Sequence, residues 1–182
     1  MRAAVEVFRE KGYERATVRD IAARAGMTTS SLYSHVSSKQ ELFLAAVQPV
    51  IEEAAERMRR IAASESSAAE KVRLGIVGAV SAFHTHYPVV SIYVRELFPA
   101  LETAEPELRK AYEQAWLAIV QEGIDTGEFR AEADARVVIS GILGMVNWMH
   151  RWYRPTGRRS SEEIGAELAT LVLRGLEARP LA

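Results

Sequence analysis

The chain has no cysteine. That excludes disulfides, thiol catalysis and cysteine-ligated zinc, and it fits a reducing cytoplasm. No long hydrophobic run is present either. The longest, from Gly141 to Met149, is interrupted by Asn147 and is far short of the ~20 residues that span a bilayer. The N-terminus carries no signal-peptide pattern. Sustained period-two alternation and Asn-Gly or Asp-Gly turns are missing, so strands are not expected. Neither charge dominates: the formal net charge is −1, which argues against a protein that coats nucleic acid without specificity but not against a local basic patch. No nucleophile–base pair, catalytic carboxylate pair, glycine-rich phosphate loop or HExxH motif is found, so no enzyme and no cofactor are expected. Acidic pairs such as Glu52–Glu53 and Glu162–Glu163 read as solvated helix surface.

What is there is helix. The 182 residues are 48% hydrophobic and 26% charged, enough apolar mass for a core. Caps and stops recur at helical spacing. A first helix spans about Arg2 to Lys11, with Ala4, Val5 and Phe8 on one face, and Gly12 ends it. Thr17 and Asp20 form a capping box, with Ile21, Ala22 and Ala25 facing inward. Gly26 stops that helix, and Thr28 or Thr29 caps the next, anchored by Leu32 and Val36. Ser38, with Glu41 three residues on, opens a fourth helix through Leu42, Phe43, Val47, Val50 and Ile51, which Pro49 can kink. Ser67 and Glu70 open a fifth, to about His86. Further helices run from Val89 to Leu101, from Pro106 to Gly127, and from Asp134 to Tyr153. Ser160 and Glu163 box the last, with Ile164, Leu168, Leu171, Val172 and Leu176 inward. The expectation is an all-α protein of about nine helices.

The segment from Thr17 to Phe43 is unusual. Its second short helix carries Thr29, Ser30, Ser31, Tyr33, Ser34 and His35, where an idle surface would carry Lys and Glu. Small residues (Ala22, Ala23, Ala25, Gly26) let two helices meet, as a helix-turn-helix requires. Thr28, Thr29, Ser30 and Ser31 suit base edges. Thr17, Arg19, Tyr33, Ser34, His35 and Lys39 suit phosphates. Residues 1–45 hold seven basic and five acidic side chains, +2, against −3 for the remainder. A helical interaction protein without DNA binding is the rival reading, but it leaves the hydroxyl-rich helix unexplained.

The string GYERATVRDIAARAGMTTSSLYSHVSSKQELF, Gly12 to Phe43, resembles the DNA-binding domain of the TetR family of bacterial transcriptional regulators. The resemblance implies a 1–45 helix-turn-helix domain and a 46–182 ligand-binding and dimerisation domain. It also implies a homodimer on a palindromic operator, and an effector that swings the two DNA-reading heads out of register. The last two helices would pair with their copies in a four-helix bundle, helped by Gly141, Gly144 and Gly175. Family members usually carry a basic lead-in, whereas here Met1 falls inside the first helix. That implies a shortened start or missing flanking phosphate contacts.

A second feature is NWMHRWYRP, Asn147 to Pro155. Trp148, Arg151 and Trp152 share one helix face. Arginine beside aromatics suits a phosphate or carboxylate on an apolar body. Aromatic packing at a subunit interface, with the arginines capping the helix end, is the other physical reading. The R-W-Y-R-P string followed by S-x-E-E-I resembles the family branch that senses acyl-CoA thioesters, which implies Arg151 meeting the CoA part of an effector. An efflux-type regulator of CoA-free hydrophobic compounds is the alternative. Further candidate ligand residues are His84, Tyr87, Tyr93, Phe98, Trp116 and Asn147. His84 and His86 point to different sides of a helix, so no metal site is expected.

Overall fold

The structure, a computed structural model, describes residues 2–97 and 106–178. Nine helical rods make up these residues. They are α1 (Arg2–Arg15), α2 (Val18–Arg24), α3 (Thr29–Tyr33), α4 (Lys39–Ala62) and α5 (Ala68–Thr85), then α6 (Tyr87–Ile92), which runs on as a π-helical turn (Tyr93–Leu97). α7 (Pro106–Asp125), α8 (Ala135–Asn147, with a further turn Met149–Trp152) and α9 (Ser161–Leu176) complete the chain. Among the described residues there is no strand, only an isolated bridge between Phe129 and Glu177. No described helix is long and apolar enough to cross a membrane.

Local chemistry explains the boundaries. Gly12 sits at φ 74 inside α1 and breaks it, as its position in sequence suggested. The Thr17–Asp20 and Ser160–Glu163 capping boxes are both closed. Gly26, at φ 68, ends α2 in a Schellman motif: its N–H donates to Ala23 O at 3.2 Å, and Met27 N–H donates to Ala22 O at 2.9 Å. Thr28, not Thr29, caps α3. Ser67 caps α5, but Glu70 turns forward to Arg73. Glu128 instead takes the N–H groups of Ala68 and Ala69, at 3.2 and 3.0 Å. α4 runs unbroken through Pro49.

The head, α1–α3 and the first turns of α4, closes on Phe8, Ile21, Leu32 and Phe43. Phe8 and Phe43 meet edge-to-face at 5.2 Å. Val47, Val89 and Ile92 belong to the same core, so the head's packing runs past residue 45 and takes in α6. The larger unit packs α9 along α5, where Gly165 allows close approach: a Cβ there would stand 3.1 Å from Val77 Cα. Its core holds Met58, Ile76, Ile119 and Ile142 around Trp116. The buried Lys71 donates to both oxygens of Glu122, at 2.9 and 2.8 Å, so its charge is answered.

Two inward assignments change. Ala25 is exposed, because α2 ends there and turns outward at Gly26. Leu171 is 63% exposed, on a face of α9 that has no partner within the chain.

Candidate functional site

Two regions carry chemistry. The first is the outer face of α2 and α3. Thr28 Oγ1 accepts Ser31 N–H at 3.1 Å and lies 3.1 Å from Ser30 Oγ, so the cap also orders the start of α3. Ser34 Oγ donates to Ser31 O at 2.7 Å. Ser30, Ser31, Tyr33, Ser34 and His35 are exposed, Tyr33 by 53%, and Thr29 is half-buried. Arg19 is exposed and makes no hydrogen bond or ion pair among the described residues. Arg24 and Lys11, by contrast, are committed. Arg24 pairs with Glu6 and Glu10, and Lys11 donates to Asp20 Oδ1 at 2.6 Å. The Lys11 ammonium, with the Thr17 hydroxyl, holds the Asp20 carboxyl down at about 2.

Lys39 is placed differently from a free phosphate contact. Its Nζ donates to Tyr13 O at 2.8 Å and Glu14 O at 3.2 Å, over the Tyr13 ring. It ties the start of α4 to the end of α1 and keeps one ammonium hydrogen to offer. The sequence reading passed over Met27, 36% exposed in the turn between α2 and α3. It offers an apolar contact beside the hydroxyls.

The second region is a cavity of about 180 Å³ among α4, α5, α6, α7 and α8. Its wall is mostly apolar, with Val50, Ala54, Phe83, Val90 and Leu143, interrupted by Arg57, Arg109, Glu113, Tyr93, Tyr112 and Asn147. Burial raises the Tyr93 and Tyr112 hydroxyl pKa values, with Arg109 and Arg57 respectively pulling the other way, so both phenols stay neutral.

Of the candidate ligand residues, Tyr93 and Asn147 line this cavity. Trp116 does not: it is fully buried in the core, and Gly75 makes the space, since a Cβ there would stand 2.5 Å from its ring. His84 Nδ1 lies 2.5 Å from Tyr153 Oη, and Tyr87 Oη donates to Tyr153 O at 3.3 Å, so both brace the end of α8. Phe98 lies outside the described residues. Trp148 and Trp152 are 60% and 47% exposed, and Arg151 lies 5.6 Å from the Trp148 ring on the same outer face. Helical periodicity is the reason: with Val146 and Met149 buried, residues 148, 151 and 152 must turn outward. Arg57 and Arg109 were missed. Their signal was position, for each sits a turn from apolar cavity residues, Ala54 and Tyr112. Among the described residues no group of three His, Asp or Glu could hold a metal.

A small head with a helix-turn-helix, capped and hydroxyl-faced, joined to a helical unit with a mostly apolar cavity, defines a DNA-binding regulator with a ligand domain. Comparison with known proteins makes this specific. Residues 1–46 match the family described as bacterial regulatory proteins, tetR family, and residues 65–176 match the tetracyclin repressor-like C-terminal domain. The chain belongs to the TetR family of transcriptional regulators, which is not a family of enzymes. It is 30% identical over 181 residues to the HTH-type transcriptional repressor KstR2 of Mycolicibacterium smegmatis, covering 95% of this chain and 86% of that one. The structure of the ketosteroid transcriptional regulator KstR2 of Mycobacterium tuberculosis superposes with a TM-score of 0.84 at 27% identity, over 98% of this chain and 93% of that one. FadR of Bacillus subtilis in complex with stearoyl-CoA has the same fold, with a TM-score of 0.80 at 23% identity over 97% of each chain.

Proposed function

We propose that this chain is a dimeric repressor, acting in the cytoplasm, that an acyl-CoA thioester releases from a palindromic operator. The observation that carries the reading is the double duty of α6. Val89 and Ile92 sit in the core of the head, while Val90, Tyr93 and Val94 line the cavity. A ligand that fills the cavity pushes on the helix that seats the head, so cavity occupancy and head position become one equilibrium.

On the DNA side, Thr28 to Ser31 read base edges, and Arg19, Tyr33, His35 and Lys39 meet phosphates; the hydroxyl hydrogens of Thr17 and Ser34, also expected there, go to Asp20 Oδ2 and Ser31 O. On the effector side, the acyl group enters the cavity. The end of α8 leads out of it: Asn147 lines the wall, and the next residue, Trp148, stands on the outer surface beside Arg151. There the guanidinium and indole faces suit the CoA part. The stearoyl-CoA complex of Bacillus subtilis FadR supports the fold's capacity for this effector class.

The dimer rests on an apolar face without a partner. Val137 is 68% exposed, and a groove between α8 and α9 is lined by Gly141, Met145, Leu171 and Gly175. A thermal-shift panel of CoA thioesters against the matching free acids tests the effector class. Thioesters stabilise the protein, and Arg151→Ala removes the effect. Stabilisation by CoA-free hydrophobic compounds alone would replace this reading with an efflux-type regulator.

A further inference from the structure

The cavity holds two arginines whose charge is answered and whose hydrogen bonding is not. Arg57 Nη1 lies 3.6 Å from Glu53 Oε1, and Arg109 Nη1 donates to Glu113 Oε1 at 2.9 Å. The Nε atom of each is buried and has no hydrogen-bond partner among the described residues. Both residues line the same cavity.

A buried donor left unpaired is costly, and native structures rarely keep one without a reason. The packing around Arg57 is fitted to its position. A Cβ at Gly78 of α5 would stand 2.8 Å from Arg57 Nε, so glycine leaves the room that the guanidinium occupies. The wall's apolar residues Val50, Ala54, Phe83 and Leu143 offer these N–H groups nothing, and none of its acceptors, Tyr112, Glu113 and Asn147 among them, takes either one.

Resting on the assignment of the cavity as the effector site, we propose that the part of the effector that enters it carries an oxygen acceptor. This is a carbonyl or hydroxyl oxygen that takes the Nε–H groups of Arg57 and Arg109. Each guanidinium already faces a carboxylate, so a neutral oxygen completes the site better than a second anion does. A methyl-ended hydrocarbon chain would leave both donors unpaired, as they are without it. The cavity therefore selects oxygenated acyl groups over plain ones, because a site built around a hydrogen bond rejects the analogue that lacks it.

The test compares octanoyl-CoA with 7-oxooctanoyl-CoA, which have the same chain length and differ by one ketone oxygen. Isothermal titration calorimetry on the whole protein should show the oxo compound binding at least about tenfold tighter. In Arg57→Met and Arg109→Met, which keep an apolar stem and remove the donor, the preference should shrink to about threefold or less. The ligand-free variants should melt close to the wild type, since the carboxylates they leave, Glu53 and Glu113, are solvent-exposed and such pairs add little stability. If they melt early, Gly78→Ala, which displaces Arg57 Nε, supplies the same readout. Free 7-oxooctanoic acid is the third arm. Tight binding of the acid alone, with the same arginine dependence, keeps the acceptor and transfers it to a CoA-free effector. Equal affinity for the two thioesters overturns the acceptor and leaves the cavity as effector site. Binding that survives Ala54→Trp, which fills the cavity, removes the cavity reading and the acceptor together. No binding by any of the three compounds also overturns the proposal.

Discussion

Val89 and Val90 are neighbours in α6 that serve different parts of the molecule: Val89 is buried in the core of the head, and Val90 lines the cavity. On the proposed function, the two side chains divide packing from sensing. Val89→Ala is expected to loosen the head's seat by roughly 1–2 kcal/mol, leave effector affinity unchanged, and weaken effector-driven release of DNA. Val90→Trp should instead lower effector affinity by about tenfold or more by occupying the cavity. Calorimetry with effector and gel shifts with DNA separate the two.

Arg19 and Lys39 should behave differently although both are cations near α3. Arg19→Ala is expected to weaken operator binding evenly across sequences and to reduce the slope of log affinity against log salt by about 1, with no change in melting temperature. Lys39→Ala should lower the melting temperature as well, because it cuts the tie from α4 to the carbonyls of Tyr13 and Glu14. Fluorescence anisotropy across a salt series, together with thermal melts, checks both.

The exposed face of α8 and α9 should hold two copies together. Leu171→Glu or Val137→Glu places charge on that face and is expected to give a monomer at micromolar concentration with its helical content intact. Sedimentation analysis with circular dichroism reads this. A dimer that survives both changes would relocate the interface.

Asp20 gives the head a sensitivity to acid. Its carboxyl titrates at about 2 in the folded head, held down by Lys11 and Thr17, and in the ordinary range, ~3.9, when unfolded. The unfolded chain therefore takes the proton first as pH falls. The contribution is whole above the ordinary range, shrinks below pH ~4, and is gone below about pH 2. Urea unfolding at a series of pH values should show wild type more stable than Asp20→Asn at pH 6, with the gap closing as the pH approaches 2.

Much of this molecule is legible before its structure. Caps and stops are local, so Thr17–Asp20, Gly26, Ser38, Ser67 and Ser160–Glu163 mark helix ends by chemistry alone. The hydroxyl-rich surface of α3 is legible for the same reason. The cavity is not, because it is assembled from five helices distant in sequence. Arg57 and Arg109 are ordinary helix charges in the sequence, and only the packing of the helices brings them to one cavity. Trp148 and Trp152 stood out by residue type, yet which way they face depends on a helix phase set by the burial of Val146 and Met149. Leu171 looked inward because apolar residues cover more than one face of α9, and one of those faces has no partner within a single chain.

The central claim is that filling the cavity releases DNA. A duplex selected by the protein from a random pool, labelled for anisotropy, measures it directly. With saturating 7-oxooctanoyl-CoA the wild type should lose operator affinity by about tenfold or more, a coupling of about 1.4 kcal/mol, and the selected site should be two-fold symmetric. Unchanged operator affinity, while calorimetry shows the ligand bound and Ala54→Trp abolishes that binding, would contradict the account.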